Sequence, residues 1–217
     1  MLASRLETLI DEQALQSQDP EDRYSTNGVS WQQYEALLVK LGDSPGCRVT
    51  YLDGVLEIVS PSLRHEGVKS RIGDLLLLYF LETDTAYYPK GFTTFRRQET
   101  RGGTEADESY CIGTDKALPD LAIEVVITSG GINRLAVYSR LQVSEVWFWH
   151  NDRFSLYHLR GETPSMFIQT YGYEAIAHSE LLPHLDIELL AAYVRHPDPL
   201  TAAKEFRQHL QEQRHRD

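Results

Sequence analysis

Leu118-Pro119-Asp120-Leu121-Ala122-Ile123-Glu124-Val125-Val126-Ile127 sets one carboxylate inside an otherwise apolar run from Leu121 onward. Apolar residues at successive positions mark a strand buried on both faces, as at the centre of a sheet covered by helices. An unpaired carboxylate is expensive there, so Glu124 needs a cation, a metal or a saturated hydrogen-bond network. A structural salt bridge and a functional acid fit that position equally well.

Working upstream, Glu105-Ala106-Asp107-Glu108-Ser109-Tyr110-Cys111-Ile112 reads as one strand, whose period of two puts Glu105, Asp107, Ser109 and Cys111 on one face. Acids from this face and Glu124 would repel unless a hard divalent ion joined them, and Mg²⁺ is commonly held by one or two carboxylates. Glu108 reads as a solvated edge charge, and Glu105 is open between the two roles. Further upstream, Arg48 to Val59 forms two β-rich runs joined by Asp53-Gly54, a strong hairpin signal. Glu57 shares a face there with Val55 and Val59. After Ser60-Pro61-Ser62, a helix carries Val68, Ile72, Leu75, Leu76 and Tyr79 on its apolar side. His65 sits on that side too, where packing explains it somewhat better than chemistry.

Ser30 caps a further helix with Trp31, Tyr34, Leu37, Leu38 and Leu41 on one stripe. Downstream of Glu124, a helix is expected from about Gly131 to Leu141, a strand at Glu145–Trp149, a turn at Asn151-Asp152, and helices at Asp186–Val194 and Thr201–Gln213. This order predicts a mixed α/β sheet flanked by helices.

Composition narrows the function. The net charge of −11 opposes non-specific attraction to phosphate backbones. Between Arg64 and Arg101, however, seven basic residues face five acids, whereas the rest of the chain has 14 against 27. A polyanion site is therefore expected on that stretch, around Lys69, Arg71, Arg96 and Arg97. Cys47 and Cys111 lack metal or disulfide spacing. No zinc-hydrolase motif, serine-hydrolase elbow or phosphate loop occurs. The longest apolar run, Leu75 to Leu81, is too short to span a bilayer, and the opening residues lack a signal-peptide pattern, so a cytoplasmic protein is expected.

The ordered motifs Leu52-Asp53-Gly54-Val55-Leu56-Glu57-Ile58-Val59-Ser60-Pro61, His65, Glu105 to Tyr110, Leu118 to Val125, Gly130-Gly131-Ile132 and Val143 to Trp149 resemble the bacterial Uma-two family. That family belongs to the PD-(D/E)XK superfamily of restriction-endonuclease-like nucleases, and the likeness covers roughly residues 28 to 195. It implies an α/β restriction-endonuclease-like core, a mixed β-sheet flanked by α-helices, spanning 28–195 between an N-terminal extension (1–27) and a helical tail (196–217). It further implies a metal-dependent endonuclease hydrolysing DNA phosphodiesters with Mg²⁺ or Mn²⁺. Asp107 matches the first catalytic aspartate and Glu124 the second acid, both as metal ligands. Glu57 and His65 match positions lining the same pocket. The superfamily lysine normally follows the second acid by two residues, where Val126 stands. In this family it is displaced to the next helix, where the matching residue is Arg134.

Arginine stays protonated and offers charge and hydrogen bonds but no base. The competing expectation is therefore a non-catalytic nuclease fold kept for binding or assembly. Cutting both strands of a duplex would favour a symmetric homodimer.

Overall fold

The computed structural model describes residues 21–42, 46–91, 93–127, 131–161 and 165–214. Most of the expected N-terminal extension, Gly130 and the last three residues lie outside this range.

Two sheets are joined by one continuous stretch of chain running from β6 (Gly102–Glu105) to β7 (Glu108–Ile112). The first has the order β1 (Asp22–Thr26), β3 (Val55–Ser60), β2 (Arg48–Leu52), β6 (Gly102–Glu105), β5 (Thr94–Arg97), antiparallel throughout. Asp53 and Gly54 both take positive φ, 46° and 92°, as a two-residue hairpin turn requires. Helix α1 (Trp31–Leu41) starts at Ser30, whose side chain accepts from Gln33 N while Gln33 reciprocates. Its Trp31 and Tyr34 pack with Val49, Tyr51 and Leu56 of the hairpin.

The second sheet runs β11 (Tyr173–Ile176), β10 (Arg153–Leu159), β9 (Glu145–His150), β8 (Leu121–Val125), β7 (Glu108–Ile112), β4 (Tyr87–Pro89). Only β8 and β9 pair in parallel, which requires a crossover; helix α3 (Arg134–Leu141) supplies it. Every residue of β8 is buried, as its run of apolar residues predicts. Leu121, Ile123 and Val125 face helix α2 (Leu63–Glu82), α4 (Ile187–Val194) and α5 (Pro199–Arg214) in the largest core cluster. Ala122 joins Leu135, Tyr138 and Leu141 of α3 in the core on the opposite face. Among the described residues, this is an α/β architecture with mixed and antiparallel sheets flanked by five helices, consistent with a restriction-endonuclease-like fold.

The expected single strand from Glu105 to Ile112 is two strands. Pairing stops at Ala106-Asp107, and the chain passes from the first sheet to the second. Asp107 Oδ2 accepts the backbone N–H of Val125 at 2.5 Å, so its carboxylate takes a donor that an extended β7–β8 ladder would use. Glu108 also departs from its solvated-edge reading. It is half-buried, accepts from Tyr110 Oη at 2.9 Å and lies against α2 at Gly73, where an added Cβ would come within 3.1 Å of its Oε1. Covering by α2 raises its carboxyl pKa, with Tyr110 partly opposing the shift.

The expected boundaries near residues 28 and 195 fall beside packed elements. β1 forms the edge of the first sheet, and α5 joins α2 through the Glu82–Arg207 and Asp84–Arg214 ion pairs, the latter at 2.6 Å. Among the described residues, no helix is long and apolar enough to cross a membrane.

Candidate acid site between the sheets

The passage at Ala106-Asp107 brings β3, β8 and the starts of α2 and α3 around a cavity of about 70 Å³, whose lining includes Arg48, His65, Asp107, Glu124, Ile132 and Arg134. Each acid arrives there for a local reason.

Glu57 is fully buried on β3. Its Oε2 accepts from Arg23 Nη1 at 3.2 Å and Ile132 N at 3.1 Å, and its Oε1 from Arg134 Nη2 at 3.2 Å. Gly131 makes this approach possible. Its φ is +87°, and an added Cβ would collide with Glu57 Oε2 and Arg23 Nη1.

Asp107 is 3% exposed. Besides Val125 N, its Oδ2 takes His65 Nε2 at 3.1 Å, while its Oδ1 contacts Arg48 Nη1. His65 is set on the first turn of α2, where the Ser62 side chain caps its N–H at 3.2 Å. Burial first, and Arg48 second, lower the His65 pKa below the ordinary imidazole value. The shift favours the uncharged ring, whose Nε2 faces Asp107 Oδ2. Its Nδ1 is buried without a hydrogen bond among the described residues, 3.5 Å from Glu66 Oε1.

Glu124 projects from β8 toward α3, where Tyr138 Oη donates to its Oε1 and Arg134 Nε lies 3.9 Å from its Oε2. Burial, followed by the Glu124 charge, pushes the Tyr138 phenol well above its usual range, so it remains a donor. Asn133 caps α3 by accepting Leu135 N at 3.0 Å, which makes Arg134 the first residue of the helix. Arg134 thus spans three strands: Glu57 on β3, Thr104 Oγ1 on β6 at 3.2 Å, and Glu124 on β8.

Asp107, Glu124, Arg134 and His65 therefore line one cavity, and Glu57 touches Arg134 and Ile132 at its edge. The basic residues expected to meet a polyanion are dispersed by comparison. Lys69 is buried and pairs with Glu66, and the Arg71 guanidinium donates to the carbonyls of Val194 (3.0 Å) and His196. Arg96 is exposed and Arg97 half-buried on β5. Glu105 accepts from Thr94 Oγ1 at 2.8 Å, and burial raises its carboxyl pKa.

Arg23, Tyr138 and Arg48 escaped the sequence reading. Tyr138 belongs to the apolar stripe of its helix and reads as core. Arg48 opens the hairpin and is a lone charge beside a β-rich run, the same signal that singles out Glu124.

Two buried carboxylates at one cavity form a hard oxygen donor set suited to Mg²⁺ or Mn²⁺, and their charge demands a cation. In this arrangement Arg48 and Arg134 meet that demand. Among the described residues, no group of three or more His, Cys, Asp or Glu side chains is arranged to hold a metal. The family model for Uma2, described as "Putative restriction endonuclease", matches residues 31–190. No curated protein matches the chain.

Proposed function

Because the chain belongs to the Uma2 family of restriction-endonuclease-like proteins, we propose that it hydrolyses phosphodiester bonds in DNA at the cavity shared by Asp107 and Glu124. The observation that supports this reading most is the convergence of those two acids, from separate segments, with Arg134 and His65 beside them. Asp107 and Glu124 would hold Mg²⁺ or Mn²⁺, which when bound lowers the pKa of water and neutralises phosphoryl charge.

The remaining chemistry belongs to the chain. His65 and Val125 N hold one edge of Asp107, and Tyr138 holds Glu124, so both carboxylates keep their rotamers. Glu57 positions Arg134 by accepting from its guanidinium. Arg134 stabilises negative charge on the phosphoryl oxygens and moves no proton. Exposed Arg96 and half-buried Arg97 on β5 offer cations for the DNA backbone. A homodimer in the cytoplasm, with one site for each strand, completes the reading.

The arginine at the lysine position favours a second reading, a nuclease fold retained for binding or assembly. Supercoiled plasmid incubated with Mg²⁺ or Mn²⁺ separates the two. Nicking by the wild type that is lost in Asp107→Ala supports hydrolysis. If folded, metal-binding wild type and Arg134→Lys both leave every nucleic acid intact, the binding reading replaces it.

A further inference from the structure

Asp107 has no idle oxygen. Oδ2 takes Val125 N and His65 Nε2, and Oδ1 faces Arg48 Nη1. The arginine is itself anchored. Its side chain is 10% exposed, and its Nη2 donates to Glu66 Oε1 at 2.8 Å while Lys69 pairs with the other Glu66 oxygen. Asp107 and Glu66 are thus balanced locally by Arg48 and Lys69. A divalent ion arriving at Asp107 meets a guanidinium on the same carboxylate, in surroundings where water screens repulsion poorly.

We infer that Arg48 is the resident counterion of Asp107 and competes with the divalent cation for it, so that Arg48 sets the metal affinity of the site. This rests on the reading of Asp107 and Glu124 as the ligands of the ion. Glu66 makes the competition workable, because it retains Arg48 when Asp107 is taken over. Without Glu66, displacement would strand a buried guanidinium, at a cost comparable to breaking any buried ion pair. Arg48 is accordingly a positioning residue with a measurable effect on an equilibrium, separate from any effect on rate.

Calorimetric titration of the full chain with Mn²⁺ alone tests this. Arg48→Met removes the competitor and should tighten Mn²⁺ binding by about tenfold or more, the scale on which one close charge alters a carboxylate's preference for a cation. Arg48→Gln should tighten it in the same direction and substitutes if the methionine variant fails to fold. Arg23→Met removes the same charge from the same cavity, but Arg23 pairs with Glu57 instead of Asp107. Competition predicts a much smaller gain for Arg23→Met, whereas a mere change in the cavity's potential predicts similar gains for both. Equal gains, or unchanged or weaker binding in the folded Arg48 variants, would overturn the inference. Binding that is lost in Glu124→Ala yet indifferent to Arg48 would sink the competition alone and leave the metal reading standing. No Mn²⁺ uptake by the wild type or any Arg48 variant would overturn both.

Discussion

Glu124 and Glu145 are both buried carboxylates on neighbouring parallel strands of one sheet, yet their partners differ in kind. Glu145 accepts from Trp147 Nε1 at 2.6 Å and from the backbone N–H groups of Glu180 and Leu181 at 3.0 and 3.3 Å, with His158 Nδ1 at 3.3 Å. Those donors are fixed in the frame and saturate the acid, stapling the Ser179–Leu182 segment to β9. Glu124 and Asp107 each face an arginine beside a void, in addition to Tyr138 at Glu124 and Val125 N and His65 at Asp107. A carboxylate satisfied by backbone groups stabilises a fold, whereas one balanced by arginines beside a cavity keeps the option of exchanging its partner.

The largest test of this contrast lies at the cavity. Asp107→Asn should reduce Mg²⁺-dependent plasmid nicking by roughly 10³-fold or more while the far-UV spectrum stays native, because the proposed metal ligand is lost and the backbone contact to Val125 is preserved. Retained nicking would move the acid site elsewhere. Glu145→Ala should act in the opposite manner, costing about 3 kcal/mol in urea unfolding with no change in rate per folded molecule. A rate effect exceeding the loss of folded protein would erase the distinction between the two acids.

Arg134 comes next. Arg134→Ala should lower nicking by about 10²-fold, the value of one electrostatic stabiliser, and Arg134→Lys should preserve or raise it. Gain of activity in Arg134→Lys over an inactive wild type, abolished by Asp107→Ala, would identify a disabled nuclease.

An ion pair whose arginine is largely exposed supplies the smallest and calibrating effect. The Arg207 hydrogen bond holds the Glu82 carboxyl below its usual range. A depressed folded pKa contributes stability that is present above the unfolded value and lost as pH falls through the folded one. Arg207 is largely exposed, so Arg207→Ala should cost about 0.5 kcal/mol or less at pH 7. That difference should shrink once pH falls below the unfolded glutamate value of about 4.3 and vanish below the depressed folded one. A cost rivalling that of Glu145→Ala would show that burial is a poor guide to the worth of these acids.

Much of this was legible from residue pattern alone. The Asp53-Gly54 hairpin, the Ser30 cap, the two-faced burial of Leu121 to Val125 and the crossover helix follow from turn chemistry, capping and periodicity, which act over a few neighbouring residues. Glu124 stood out because a charge in a doubly buried strand violates the pattern around it. The break at Ala106-Asp107 did not stand out, since its cause is a carboxylate accepting Val125 N from 18 positions away. Glu108 looked like a solvated charge for a similar reason. Its alternation in the strand is compatible with solvent, and only α2 packing over it at Gly73 removes the water.

The sequence by itself determined most of the elements, the family and the choice of acids proposed for the site, because each is encoded in local periodicity or in ordered motifs. Only the tertiary structure decided which cations those acids meet. Arg23, Arg48 and Arg134 lie 34, 59 and 77 residues from their principal acid partners, Glu57, Asp107 and Glu57 respectively. No local rule links such positions. The pairing follows from two sheets converging at one chain passage, where buried charges are tolerated only in balanced sets.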